Sequence, residues 1–171
     1  MRNLEYKARI EDPKPLIARA RQLGFDLWGD LRQTDTYFDV PNGRLKLRET
    51  TSFPSELVFY QRDEGGDLRP SDYHLASVPN GVAMKAVLGG ALGILTVVRK
   101  RRTLLLLDTT RMHLDNVDNL GQFIELEVPV RDGDEANAAA RMEMLLRELG
   151  VRWDECIRAS YADLIISAQN T

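Results

Sequence analysis

Three segments of the chain alternate charged and apolar residues with a period of two: Asn3-Leu4-Glu5-Tyr6-Lys7, Gly43-Arg44-Leu45-Lys46-Leu47-Arg48 and Phe123-Ile124-Glu125-Leu126-Glu127-Val128. A β-strand sends successive side chains to opposite faces, so Glu5 shares a face with Lys7, Lys46 with Arg48, and Glu125 with Glu127. The same pattern predicts strands over 3–10, 33–40 and 56–62, a short one near Tyr73, and others over 94–103, 104–115 and 123–130. Pro41-Asn42-Gly43 is the turn of a hairpin that leads into the strand carrying Lys46. A helical period appears between these groups. Leu16, Ile17, Ala20 and Leu23 fall on one face, after Asp12 as cap and Pro13 in the first turn, with Gly24 as the stop. A second helix, opened by Pro79, runs to Leu92-Gly93, and Asp134 caps a third, alanine-rich one through Leu149-Gly150. The polar segment from Asp63 to Pro70, with Gly65-Gly66, reads as an exposed loop. Ser160 to Ile166 is short and apolar and fits a strand or a helix equally.

Helices inserted between groups of hairpin-like strands predict an α+β fold with a largely antiparallel sheet. About eight strands could close into a barrel. With 171 residues the expected organisation is one domain over 1–171, burying roughly 70% of the surface its unfolded chain would expose. The single cysteine, Cys156, cannot form an internal bridge and reads as a packed side chain in a reducing compartment. No run approaches 18 apolar residues and no signal peptide is evident, so a cytoplasmic location without membrane contact is expected. Net charge is −3 and the isoelectric point about 5.5, which argues against general affinity for nucleic acid. Any phosphate chemistry must come from cations gathered locally.

Taken strand by strand, the alternation collects a candidate inner set: Glu5, Lys7, Lys46, Arg48, Arg62, Lys100, Arg102, Arg111, Asp115, Glu125 and Glu127. It holds seven cations and four carboxylates, an excess of three positive charges in a chain whose total is negative. Periodicity alone fits two arrangements, solvated outer faces of a half-buried sheet or one charged interior. The second requires the charges to be wet, mutually paired or occupied by ligand and metal, because stripping an ion of water costs several kcal/mol.

Eight fragments, in this order, resemble the CYTH superfamily of triphosphate tunnel metalloenzymes, and within it the class IV adenylyl cyclase-like branch. They begin at Asn3, Gln33, Leu57, Pro70, Val98, Arg111, Gly121 and Ser160, and end at Arg9, Glu49, Arg62, Tyr73, Arg102, Asp115, Glu127 and Leu164. The resemblance implies an eight-stranded antiparallel β-barrel, open as a tunnel, with helices packed outside. It implies a divalent metal, Mg²⁺ or Mn²⁺, held by Glu5, Glu125 and Glu127 with Asp115 as helper. Lys7, Lys46, Arg48, Lys100, Arg102 and Arg111, joined by Arg62, resemble the positions that grip phosphate. The implied partner is a triphosphate-bearing small molecule, ATP or an inorganic or organic triphosphate, and dimers occur among similar proteins.

The chain departs from the resemblance at Asn3, where the family's opening motif carries a glutamate. An amide offers a carbonyl oxygen but no charge to a hard cation, so Asn3 either weakens a second metal or is a plain strand residue. Three outcomes are consistent with these residues: adenylyl cyclase, triphosphatase, and a non-catalytic polyphosphate-binding module. His113, between Arg111 and Asp115, is a candidate proton shuttle or a hydrogen-bonded structural histidine. Tyr37, Tyr60 and Tyr73 either contact a base or phosphate or serve as core and rim aromatics.

Overall fold

The computed structural model describes residues 2–62, 69–131 and 133–169. Of the loop expected over 63–70, residues 63–68 lie outside the described residues, as does the side chain of Arg62, and 69–70 belong to a strand instead. Eight strands, β1 (Arg2–Ile10), β2 (Asp26–Phe38), β3 (Arg44–Thr50), β4 (Ser55–Arg62), β5 (Arg69–Val78), β6 (Ile94–Leu107), β7 (Thr110–Val117) and β8 (Gly121–Pro129), pair antiparallel throughout. Their spatial order is β1-β5-β4-β3-β2-β6-β7-β8, and β1 also pairs with β8, with Lys7 opposite Glu125, so the sheet closes into a barrel. Closure leaves one face of each strand inside and one outside.

The outward residues form the main core. Tyr6 and Ala8 of β1, Met112 and Leu114 of β7, and Ile124 and Leu126 of β8 pack beneath helices α1 (Pro13–Gln22) and α3 (Glu135–Leu149). Helix α2 (Gly81–Leu92) covers Phe38, Leu47 and Val78 on another part of the wall through Met84 and Leu88. Helix α4 (Tyr161–Gln169) sets Tyr161 and Ala162 against the inward-facing Tyr37, Tyr60, Val98, Val117 and Phe123 at one end of the barrel.

Local chemistry accounts for most element ends. The Asp12 carboxylate accepts from the Lys14 amide (2.9 Å), Pro13 sits in the first turn of α1, and Gly24 takes φ +92° just past its end. Asn80, following Pro79, caps α2 through the Ala83 amide. Asp134 occupies the cap position of α3, but its carboxylate bonds the Asn137 side chain and no backbone amide.

Three strands differ in extent from the expected ones, and the element open to two readings is decided. β2 begins at Asp26 rather than 33, because a bulge between Leu27 and Gly29 breaks the period while pairing with β6 continues. β6 runs on through Leu104–Leu107, a uniform apolar run with no alternation to mark an end, and turns at Asp108 with φ +52°. β5 is longer than the short strand expected near Tyr73. The last element is helical, since Ser160 and Asp163 cap it reciprocally: the Asp163 amide donates to the Ser160 hydroxyl (3.1 Å) and the Ser160 amide to the Asp163 carboxylate (3.0 Å).

Gly43 has φ +66°, and a Cβ there would lie 2.8 Å from the Phe59 ring and 2.9 Å from the Tyr60 carbonyl. Gly43→Ala is expected to destabilise the protein by about 1–3 kcal/mol, read as a lower urea midpoint at unchanged slope.

Candidate active site

Inside the barrel lies a cavity of about 300 Å³. Glu5 and Lys7 of β1, Lys46 and Arg48 of β3, Lys100 and Arg102 of β6, Arg111 of β7, and Glu125 and Glu127 of β8 all line it, as do Asn3, Tyr60 and His113. The charged rows therefore face a common interior, while the intervening Arg99 and Arg101 are exposed outside. Asp115 faces the same way but is 2% exposed and contributes nothing to the cavity lining.

The centre of the cavity is a belt of paired ions. Asp35 of β2, 2% exposed, accepts two hydrogen bonds from Arg48 (2.8 and 2.9 Å) and one from Lys46 (3.0 Å). Asp115 accepts two from Arg102 (2.7 and 2.6 Å) and one from the Tyr161 hydroxyl (3.0 Å). Lys100 stands between them, 3.9 Å from Asp35 and 3.6 Å from Asp115. Burial alone would raise the Asp35 carboxyl, but Arg48 and Lys46 outweigh it and hold Asp35 well below the usual carboxylate range. Asp115, likewise raised by burial and lowered by Arg102 and Lys100, is held at about 2.

Asp35 was not among the expected site residues, although its signal is in the chain. Pairing the hairpin across Pro41-Asn42-Gly43 places Asp35 opposite Arg48 and Tyr37 opposite Lys46. Its presence lowers the expected excess of three positive charges by one; with the Arg62 side chain outside the described residues, six inner cations (Lys7, Lys46, Arg48, Lys100, Arg102, Arg111) face five carboxylates (Glu5, Asp35, Asp115, Glu125, Glu127) among the described ones. Tyr161 was also missed, though Ser160-Tyr161-Ala162-Asp163 carries the helix-start signature that places it. The tyrosines form a floor beneath the ammonium groups: Lys7 lies 4.4 Å from the centre of the Tyr161 ring, and Lys46 lies 5.5 Å from Tyr37 and 5.6 Å from Tyr60.

Above the belt, Glu125 meets Arg102 (2.8 Å) and Lys7 (3.2 Å), and Glu127 meets Arg111 (2.6 Å). Among the described residues, Glu125, Glu127 and His113 bring donor atoms within 4.8 Å of one another, a group able to hold a cation. Glu5 lines the same cavity outside that group, and Asp115 is engaged with Arg102 and Tyr161. With its amide oriented so that oxygen faces donors, Asn3 accepts from Arg111 (2.9 Å) and donates to the Arg2 carbonyl (3.1 Å). Burial and the neighbouring Arg102 favour neutral His113, against the pull of Glu127.

Burial, reinforced by Arg102, pushes Lys100 down to about 7 against the opposing pull of Asp115 and Asp35. A bound polyanion favours the ammonium form, so binding takes up a proton where free Lys100 is neutral, above pH 7, and affinity falls as pH rises through that window. Below pH 7 Lys100 is already charged and contributes no dependence. Calorimetry with tripolyphosphate in buffers of differing ionisation enthalpy is expected to show more proton uptake at pH 8 than at pH 6. The Lys100→Met variant is expected to lose this difference.

Residues 1–161 match the CYTH domain family. A Methanocaldococcus jannaschii protein assigned provisionally as an adenylate cyclase is 27% identical over 180 residues, spanning 96% of this chain and 98% of the relative. A Pyrococcus horikoshii structure superposes with a TM-score of 0.86 at 19% identity, covering 95% of this chain and 98% of the other. A Hippeastrum protein, provisionally an adenylyl cyclase and described as having a dominant triphosphatase activity, superposes with a TM-score of 0.69 at 15% identity, covering 97% and 96%.

Proposed function

The chain belongs to the CYTH domain family, and on that premise we propose that it is a divalent-metal-dependent enzyme that binds a triphosphate inside the barrel and cleaves one of its phosphorus–oxygen bonds. The observation that carries this reading is the belt of buried Lys46, Lys100 and Arg102 with half-buried Arg48. Burying ions is expensive, and a well-packed apolar interior would serve stability as well or better. A triphosphate, with roughly four negative charges, gives such a belt a purpose. Each guanidinium carries five N–H donors; Asp35 engages two of those on Arg48, leaving others for phosphate oxygens.

Glu125 and Glu127 are the residues suited to hold the divalent ion, which when bound would neutralise phosphate charge and polarise the bond to be broken. The protein's own cations orient the chain of phosphates and stabilise charge on the departing group, without a covalent nucleophile. The lead activity is adenylyl cyclase, in which the ribose 3′-hydroxyl attacks the α-phosphorus, cyclic AMP forms and pyrophosphate leaves. Its support is the M. jannaschii relative, similar along nearly the whole of both chains. The second reading is hydrolysis of the terminal phosphate of inorganic triphosphate, thiamine triphosphate or a nucleoside triphosphate. The activity described for the Hippeastrum protein, which shares the fold, favours it.

Incubation of the purified protein with Mg²⁺ or Mn²⁺ and ATP, thiamine triphosphate or tripolyphosphate, followed by ion-exchange chromatography, separates these readings. Cyclic AMP with pyrophosphate supports the lead, and orthophosphate with the shortened chain supports the triphosphatase. Tight binding without turnover would leave a polyphosphate-binding module, and the absence of both binding and turnover would overturn the reading. Among the described residues, no helix is long and apolar enough to cross a membrane.

A further inference from the structure

We propose that His113 is itself a ligand of the ion held at Glu125 and Glu127, so that the site prefers a first-row transition ion such as Mn²⁺ or Co²⁺ to Mg²⁺. This rests on the reading that the barrel binds a divalent metal, and it adds to that reading a nitrogen donor and a choice of ion.

His113 faces inward from β7, directly opposite Glu125 in the register with β8, one inward position from the Arg111–Glu127 pair. It is 4% exposed. Its Nδ1 is buried and has no hydrogen-bond partner among the described residues. That nitrogen lies 3.6 Å from Glu127 Oε1 and 3.7 Å from Glu125 Oε2, too far for a hydrogen bond to either. Two donors each bound about 2.1 Å from one ion stand about 3–4 Å apart, so both gaps suit ligands of a shared cation. A buried polar nitrogen without a partner calls for an explanation, and one aimed at two carboxylates finds it in a cation.

The donor set then determines the ion. Mg²⁺ takes oxygen ligands and keeps much of its water, whereas a nitrogen donor added to carboxylates favours the first-row transition ions, with affinity rising from manganese to cobalt. Asn3 spends its oxygen on Arg111, whose guanidinium in turn holds Glu127 with Oε1 left toward His113.

Pulsed EPR of the full chain loaded with Mn²⁺ tests this directly, because a coordinated imidazole imposes nitrogen modulation on the manganese signal. The wild type is expected to show that modulation, and His113→Gln is expected to lose it. The variant is also expected to bind Mn²⁺ and Co²⁺ at least about tenfold more weakly, while Mg²⁺ affinity, measured by competition, changes less than about threefold. His113→Asn provides a second variant, with circular dichroism to verify folding, and should neither fold, the wild-type spectrum decides alone. Manganese binding and triphosphate turnover without nitrogen modulation would overturn the role of His113 and leave the proposed function standing. Modulation without turnover would support the ligand and sink the enzyme reading, and absence of metal binding would overturn both.

Discussion

Replacing Asp35 with alanine is expected to destabilise the folded protein by about 3–5 kcal/mol, the cost of removing one partner from a buried ion pair. Asp35 accepts from both Arg48 and Lys46 and lies near Lys100, so its loss leaves two cations inside the barrel without their principal counter-charge and takes away one of the two carboxylates beside Lys100. For a chain of this length the melting temperature should fall by about 10 °C. The informative part is the rescue. If the belt is built for a polyanion, added tripolyphosphate replaces the missing charge and should raise the melting temperature of the variant more than that of the wild type. Equal shifts in the two proteins would count against the belt as a phosphate grip.

Glu127→Ala should behave in the opposite way, leaving stability nearly intact while lowering turnover of the triphosphate substrate about 10²- to 10³-fold. Its partner Arg111 has a side chain 35% exposed and can turn to solvent once the carboxylate is gone. Lys46→Ala should likewise fold, since Asp35 keeps its two bonds to Arg48, and should lose triphosphate processing through weaker binding. Unfolding curves beside steady-state rates separate the two classes. Full activity in a folded Glu127→Ala protein would remove the case for a metal at β8.

The residues that line the barrel were legible in the alternation of β1, β3, β6 and β8, because a period of two sorts Lys100 and Arg102 from Arg99 and Arg101 whichever way the faces point. The direction was not. Solvent and cavity impose the same period, and resemblance rather than periodicity favoured the inside. Asp35 escaped because it sits among Gln33, Thr34, Thr36 and Tyr37, where one acid marks no charged row. Only the cross-strand register gives it Arg48 as a neighbour. The bulge at Gly29 hid the first half of β2, and α4 was undecidable from its apolar residues although Ser160 and Asp163 cap it. The sequence leaves His113 open between a proton shuttle and a structural histidine, because it cannot reveal that a ring nitrogen lacks a partner.

The seam between β1 and β8 also bears on how the molecule is made. A ribosome delivers β1 first and β8 only after six other strands, so the Lys7–Glu125 contact waits for most of the polypeptide to emerge. Pairings so distant in sequence form slowly. Until they do, the nascent chain carries two unsealed strand edges and an unbalanced set of cations, a window in which holdase chaperones have most to protect.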